Sequence, residues 1–224
     1  MRKLLASTAL IGGLALAGPA ANAALIASFA QNGTANTIVA VDNGGSTDIS
    51  TGSVGVSTDV SALLGNPAVP NAFFVLNANS IDAAQLVAGL VVQHFSGSFC
   101  ITSAASCGGT NILSGTFTDA AVGTNGGPGL DVNVNNPPDN LTLTSSVIAA
   151  ADLVAPNDLQ LTFSGLTTPP GIHIDGSTIA AFTAGFSGTV SASTGAAVPE
   201  PASLAVLGFG LLGLGLTQVR RKRG

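Results

Sequence analysis

The sequence predicts an all-β domain, most simply a β-sandwich, and three observations carry that reading. Short runs of β-branched and aromatic residues alternate with turn clusters of Gly, Pro, Asn and Asp. Between the two ends no long 3.6-residue apolar periodicity occurs, and Ile148 to Val154 is the one short helical candidate. The apolar set is Phe, Leu, Ile, Val and abundant Ala, which suits two closely packed sheets.

In chain order, Met1-Arg2-Lys3 is basic, Leu4 to Ala17 is apolar, and Gly18-Pro19 breaks any helix. Ala21 and Ala23 are the small residues a signal peptidase reads, so residues 1–23 form a secretory signal peptide cut after Ala23. The body follows over residues 24–190, the size of one domain. Leu25 to Phe29 and Thr37 to Val41 read as strands, the second ended by the turn Asp42-Asn43-Gly44-Gly45. Ser46 to Ser61 is rich in Ser, Thr and Gly and holds an echo, Ser-Thr-Asp-Ile-Ser at 46–50 and Ser-Thr-Asp-Val-Ser at 57–61. Two copies fall short of the three units a repeat array needs. Strands are expected at Ala72 to Leu76 and through Val91 and Phe95, where Phe95, Gly97, Phe99 and Ile101 share one face. Further strands follow at 112–117, 130–134, 141–147, 159–163, 172–174, 178–186 and 189–192. Residues 191–197 are small and read as a linker.

Charge is distributed in an unusual way. All six Lys and Arg sit in the two ends, at Arg2, Lys3 and 220–223. The body therefore has no cation and ten Asp, a formal charge near −10, against −5 for the whole chain. Nucleic acid is excluded as a partner, because binding it needs Lys or Arg to displace counterions. The body has no Trp, Tyr or Glu, so it lacks the aromatic platforms that stack on sugars and the Glu pair of many glycosidases.

Few residues offer chemistry. Cys100 and Cys107, the only cysteines, are expected to form a disulfide in an exported chain. His94 and His173 are the only histidines, and nothing in their spacing brings them together as metal ligands; His173 reads as a solvent-facing strand residue. Asp131, Asn133 and Asn135 share one strand face like the opening of an EF-hand loop. Asn136 then stands where the turn Gly belongs, and Thr142 where the bidentate Glu belongs, leaving a weak calcium candidate. No nucleophile–base constellation is visible, so the body is expected to be non-enzymatic and to need no cofactor.

The tail is the specific feature. Val198, Pro199, Glu200 and Pro201 form an extended handle, because each proline fixes φ. Residues 202–219 carry no charge and make a helix of about 27 Å, enough to cross a hydrocarbon core. Arg220, Arg221, Lys222 and Arg223 close the chain as a cytoplasmic stop. This order resembles the PEP-CTERM sorting signal of Gram-negative bacteria, over residues 198–224 alone. The resemblance implies export, a transient anchor in the inner membrane, and cutting near the handle by exosortase, a membrane-embedded cysteine protease-transpeptidase. It further implies a place at the cell surface or in an exopolysaccharide, biofilm or cell-envelope matrix. The role expected of the body is structural, with a carbohydrate- or surface-binding adhesion module as the alternative and a secreted hydrolase or Thr-face adhesion to ice or mineral behind it.

Overall fold

Inward and outward residues alternate along nearly every segment of the body, and the inward ones meet in a single interior. The computed structural model describes residues 24–60, 69–123, 128–133, 138–167 and 171–193. Ala21, Ala23, Asn135, Val198 to Pro201, the 202–219 stretch and Arg220 to Arg223 lie outside the described residues. The strands are β1 (Ala24–Gln31), β2 (Ile38–Asp42), β3 (Thr47–Thr51), β4 (Val54–Val60), β5 (Val69–Ser80), β6 (Gln85–Val87) and β7 (Leu90–Ala104). They continue as β8 (Gly108–Gly123), β9 (Gly129–Asn133), β10 (Asn140–Thr144), β11 (Val154–Ser164), β12 (Ile174–Asp175), β13 (Thr178–Ile179) and β14 (Phe182–Ser193).

Antiparallel ladders join eight of these into a closed ring, in the order β1–β4–β5–β7–β8–β9–β11–β14 and back to β1. β2 and β3 extend β1 and β4 as one long hairpin, and β10 lies beside β9 along the same edge of β8. The all-β expectation holds. The expectation of two separate packed sheets is refined: hydrogen bonds run unbroken around the ring, so the opposed layers are walls of one sheet. Closure leaves each of the eight strands with a neighbour on both sides.

Two side chains keep the ring continuous where the backbone leaves it. Between β1 and β2 the chain detours through residues 32–37, and Gln31 Oε1 there accepts the N–H of Phe186 at 3.2 Å and the hydroxyl of Thr37 at 2.7 Å. At the kink between β3 and β4, Thr51 Oγ1 accepts the N–H of Leu76 at 2.8 Å. Each supplies an acceptor that a regular ladder would have drawn from the main chain.

The interior is built on phenylalanine set against glycine. Phe74 of β5 lies 5.1 Å from Phe29 of β1, 4.8 Å from Phe186 of β14 and 6.3 Å from Phe99 of β7, measured between ring centroids. Three rings rest on a glycine directly across the ladder: Phe29 on Gly188, Phe99 on Gly115 and Phe117 on Gly97. A Cβ at any of these glycines would enter the space of the opposing ring, which accounts for glycine inside strands that would otherwise be weakened by it.

A polar knot closes the end where β14 begins. Gln93 is fully buried; its Oε1 accepts Thr47 Oγ1 and the N–H of Ile179, both at 3.1 Å, and its Nε2 donates to the Asp82 carbonyl at 2.9 Å. Thr178 Oγ1 donates to Asp42 Oδ1 at 2.8 Å. The β12–β13 hairpin is thereby pinned to β2, β3 and β7.

Several local expectations change. The Ser46 to Ser61 stretch forms β3 and β4, and its echo is the period-two signature of a strand: Thr47, Ile49, Thr58 and Val60 point inward, whereas Asp48, Ser50, Ser57 and Asp59 do not. The 148–154 stretch holds only a 3-10 turn at Ala150–Asp152. His173 precedes β12 and is half-buried rather than solvent-facing. The chain leaves β13 at Ile179 and re-enters the ring at Phe182, so 178–186 is not one strand. β14 continues to Ser193, making the first residues of the expected linker strand.

This packing predicts the response to one added methyl group. Gly97→Ala would drive its Cβ into the Asn77 carbonyl and the Phe117 ring and should cost about 1–3 kcal/mol or more in chemical denaturation. Gly45→Ala meets nothing within 4 Å and should change stability by no more than about 0.5 kcal/mol. Equal effects at the two positions would refute the packing account.

Candidate functional site

Cys100 sits in β7, and Cys107 in the turn before β8 where the chain doubles back; they form a disulfide with Cα atoms 5.8 Å apart. Ser106 and Cys107 take positive φ values of 57° and 56°, and the Ser106 N–H donates to Ser53 Oγ at 3.0 Å. The bridge folds this turn over the outer face of the sheet, which is why Cys100 is buried although it points away from the core. With its thiol bonded, neither cysteine is a nucleophile.

Beside the disulfide, the outer face of β5, β7, β8 and β10 carries two rows in register. One runs Asn77, Ser98, Thr116, Thr142; the other runs Val75, Cys100, Ser114, Thr144. They line a shallow cleft of about 430 Å³. None of these side chains is charged, and Ser114 Oγ shares a hydrogen bond of 2.9 Å with Thr144 Oγ1. Thr142 and Thr144 of β10 are thus part of a wider hydroxyl- and amide-bearing surface.

Four of the ten aspartates, Asp119, Asp131, Asp139 and Asp158, lie near one another on another part of the wall. Asp131 and Asn133 lie on β9 with their side chains away from the core, next to Asp158 and Gln160 of β11. Asp139 Oδ2 accepts the Asn133 N–H at 3.1 Å. Burial, with Asp131 nearby, pushes the Asp158 carboxyl up to about 6, and its Oδ1 is a buried atom with no hydrogen-bond partner. Asp131 is raised by desolvation and by Asp139, although the residue as a whole stays exposed and water moderates the effect. Asp139 is raised chiefly by burial, with Asp119 adding to the shift, while the Asn133 hydrogen bond and His94 oppose it.

His94 meets a partner that spacing did not reveal: its Nδ1 lies 2.6 Å from Asp82 Oδ2, and Asp82 Oδ1 accepts the His94 N–H at 2.9 Å. His173 instead sets Nδ1 at 2.9 Å from the Gly171 carbonyl. The fold therefore gives each histidine a different local partner. Among the described residues no group of three or more His, Cys, Asp or Glu is gathered so that it could hold a metal ion. Asp131 and Asn133 do share a strand face, as expected.

The raised carboxyls set a pH dependence. A folded-state value above the unfolded one means that folding takes up a proton; stability is therefore gained as pH falls through the folded value and is fully present below the unfolded value. For Asp158 that window runs from about 6 down to 3.8. The melting temperature of the body should rise between about pH 7.5 and about pH 4.5, and Asp158→Asn should flatten the rise. A melting temperature that falls over this range would contradict the account.

Residues 197–222 match the PEP-CTERM protein-sorting motif. Compared with curated proteins and with solved structures, the chain gives no match. The match coincides with the handle, the uncharged stretch and the basic close read from the sequence, and it stops short of the ring. The chain thus carries a PEP-CTERM protein-sorting motif, the signal of an exported surface protein processed by exosortase.

Proposed function

We propose that this is a non-catalytic structural protein of the cell envelope or extracellular matrix, delivered through its sorting tail. The observation that carries the proposal is the division of labour along the chain. Every cation lies in the ends, and in a body without any Lys or Arg the buried core among the described residues runs from Ile26 to Ala192. Signal peptidase would remove residues 1–23, the 202–219 helix would hold the intermediate in the inner membrane, and exosortase would cut near Pro199-Glu200-Pro201. What remains would be an acidic, disulfide-clipped ring suited to a hydrated matrix, where exopolysaccharide is the nearest macromolecule. The body is proposed to work without cofactor or enzymatic activity, since its one close His–Asp pair has no hydroxyl or thiol bonded to the ring among the described residues.

A second reading, a carbohydrate-binding adhesion module, is favoured by the uncharged rows Asn77 to Thr142 and Val75 to Thr144. A surface of hydroxyls and amides can exchange hydrogen bonds with a neutral glycan. Without Trp or Tyr to stack on the sugar, such contacts would be weak and multivalent.

Intact mass of the extracellular form tests the route. The expected species begins at Ala24 and has lost Ala202 to Gly224, and Glu200→Ala should leave the precursor in the membrane fraction. A released protein that still carries Arg220 to Arg223 would overturn the processing scheme.

A further inference from the structure

The polar cleft beside the disulfide has a counterpart across the ring. On the outer face of β4, β1, β14 and β11, Asp59, Ser28, Thr189 and Gln160 stand in one row in register. Ser57, Ala30, Ser187 and Thr162 form a parallel row, and the two line a cleft of about 500 Å³. Between these rows Phe29 faces Gly188, just as Phe99 faces Gly115 between the rows of the first cleft. Two strands separate the β1–β14 ladder from the β7–β8 ladder in either direction around the ring, so the clefts open on opposite sides. Among the described residues Asp59 is the one charged side chain lining either cleft.

We propose that each cleft takes a stretch of neutral polysaccharide, so that one body bridges two glycan chains. This rests on the carbohydrate-binding reading above and adds a second site and a bridging role to it. Chemistry selects the occupant. Ser, Thr, Asn and Gln side chains both donate and accept hydrogen bonds, as every sugar hydroxyl does. A polyanion would meet a body near −10 that has no Lys or Arg. An apolar partner would bury hydroxyls it cannot pair. A peptide strand adds to a sheet at an edge, whereas these clefts lie on the face of the sheet. The rows Asn77 to Thr142 and Asp59 to Gln160 offer a polar side chain about every 4.8 Å to a linear chain lying across the strands. Because the clefts face away from one another, a chain held in one leaves the other open to a second chain. Single contacts are weak, and many bodies along a polymer sum to a cross-linked network.

Amide chemical shifts of the body, residues 24–197, titrated with cellohexaose, laminarihexaose and maltohexaose test it, since the buried core among the described residues lies within that span. At least one of these neutral glucans, at about 10 mM or below, should move Ser98, Thr116 and Thr142 together with Ser28, Thr162 and Thr189. Anionic trigalacturonate should move neither group. Thr116→Val with Thr142→Val should silence the first group and spare the second, and Thr162→Val with Thr189→Val should do the reverse. Each variant keeps a β-branched side chain on its strand, so the fold is retained. Wild type should raise the light scattering of the matching long-chain glucan severalfold, and either double variant should lose that rise. Shifts confined to one cleft, or no rise in scattering, would overturn the bridging and leave the carbohydrate-binding reading standing. No shift with any of the three glucans would overturn both. Shifts that survive the double variants, or equal shifts with trigalacturonate, would overturn the assignment of the clefts to a neutral glycan.

Discussion

Between Lys3 and Arg220 the chain has no positive side chain, and this bears directly on how a sheet protein avoids sticking to itself. An open strand edge is usually guarded by a charged residue, lysine above all. Here that device is missing, and the ring of ladders takes its place by giving eight strands a neighbour on each side. Continuity then matters everywhere along the ring. Gln31 and Thr51 supply acceptors where the backbone detours, and glycines admit the rings of Phe29, Phe99 and Phe117 where strands must pack closely. β6 and the disulfide turn stand outside the closed path, and both are short.

The same economy of charge connects the fold to delivery. Cations at the two ends are what targeting and a cytoplasmic stop require. A body of Asp and neutral residues offers no Lys or Arg to the phosphates of an anionic membrane or a nucleic acid. Four of its carboxylates, at Asp119, Asp131, Asp139 and Asp158, lie near one another, and desolvation raises those of Asp131, Asp139 and Asp158. The two rows of its outer face over β5, β7, β8 and β10 carry hydroxyls, amides, a valine and the disulfide.

Much of the architecture was legible in the sequence, for a physical reason. Strand position follows from local alternation and turn chemistry, so β1, β2, β5, β7, β8, β9 and β11 are visible in short windows, whereas β14 is read there as parts of two strands. The Ser46 to Ser61 stretch was not read as strand because Thr and Ser fill positions where apolar residues normally mark the inward face. Only their burial in the folded ring shows Thr47 and Thr58 to be inward. Closure of the ring depends on ladders such as β5–β7 and β1–β14, whose partners are set by tertiary packing, and no local window records it. The cysteine pair was legible because only two cysteines exist. The His94–Asp82 pair and the Asp158 neighbourhood were not, because each joins residues from different segments through cross-strand register. The sorting motif was the most legible feature, since it is read as linear sequence by the machinery that uses it.

Closure of the ring is the claim on which the rest stands, and native-state hydrogen exchange of the body measures it most directly. A closed ring predicts that amides of β1, β5, β7 and β14 exchange only through global opening, all with the same free energy and the same dependence on denaturant. An open sheet would leave one of the ladders β5–β7 and β1–β14 unformed, and a pair of separate sheets would leave both unformed. Rapid exchange of the amides on that side, independent of global unfolding, would contradict the account.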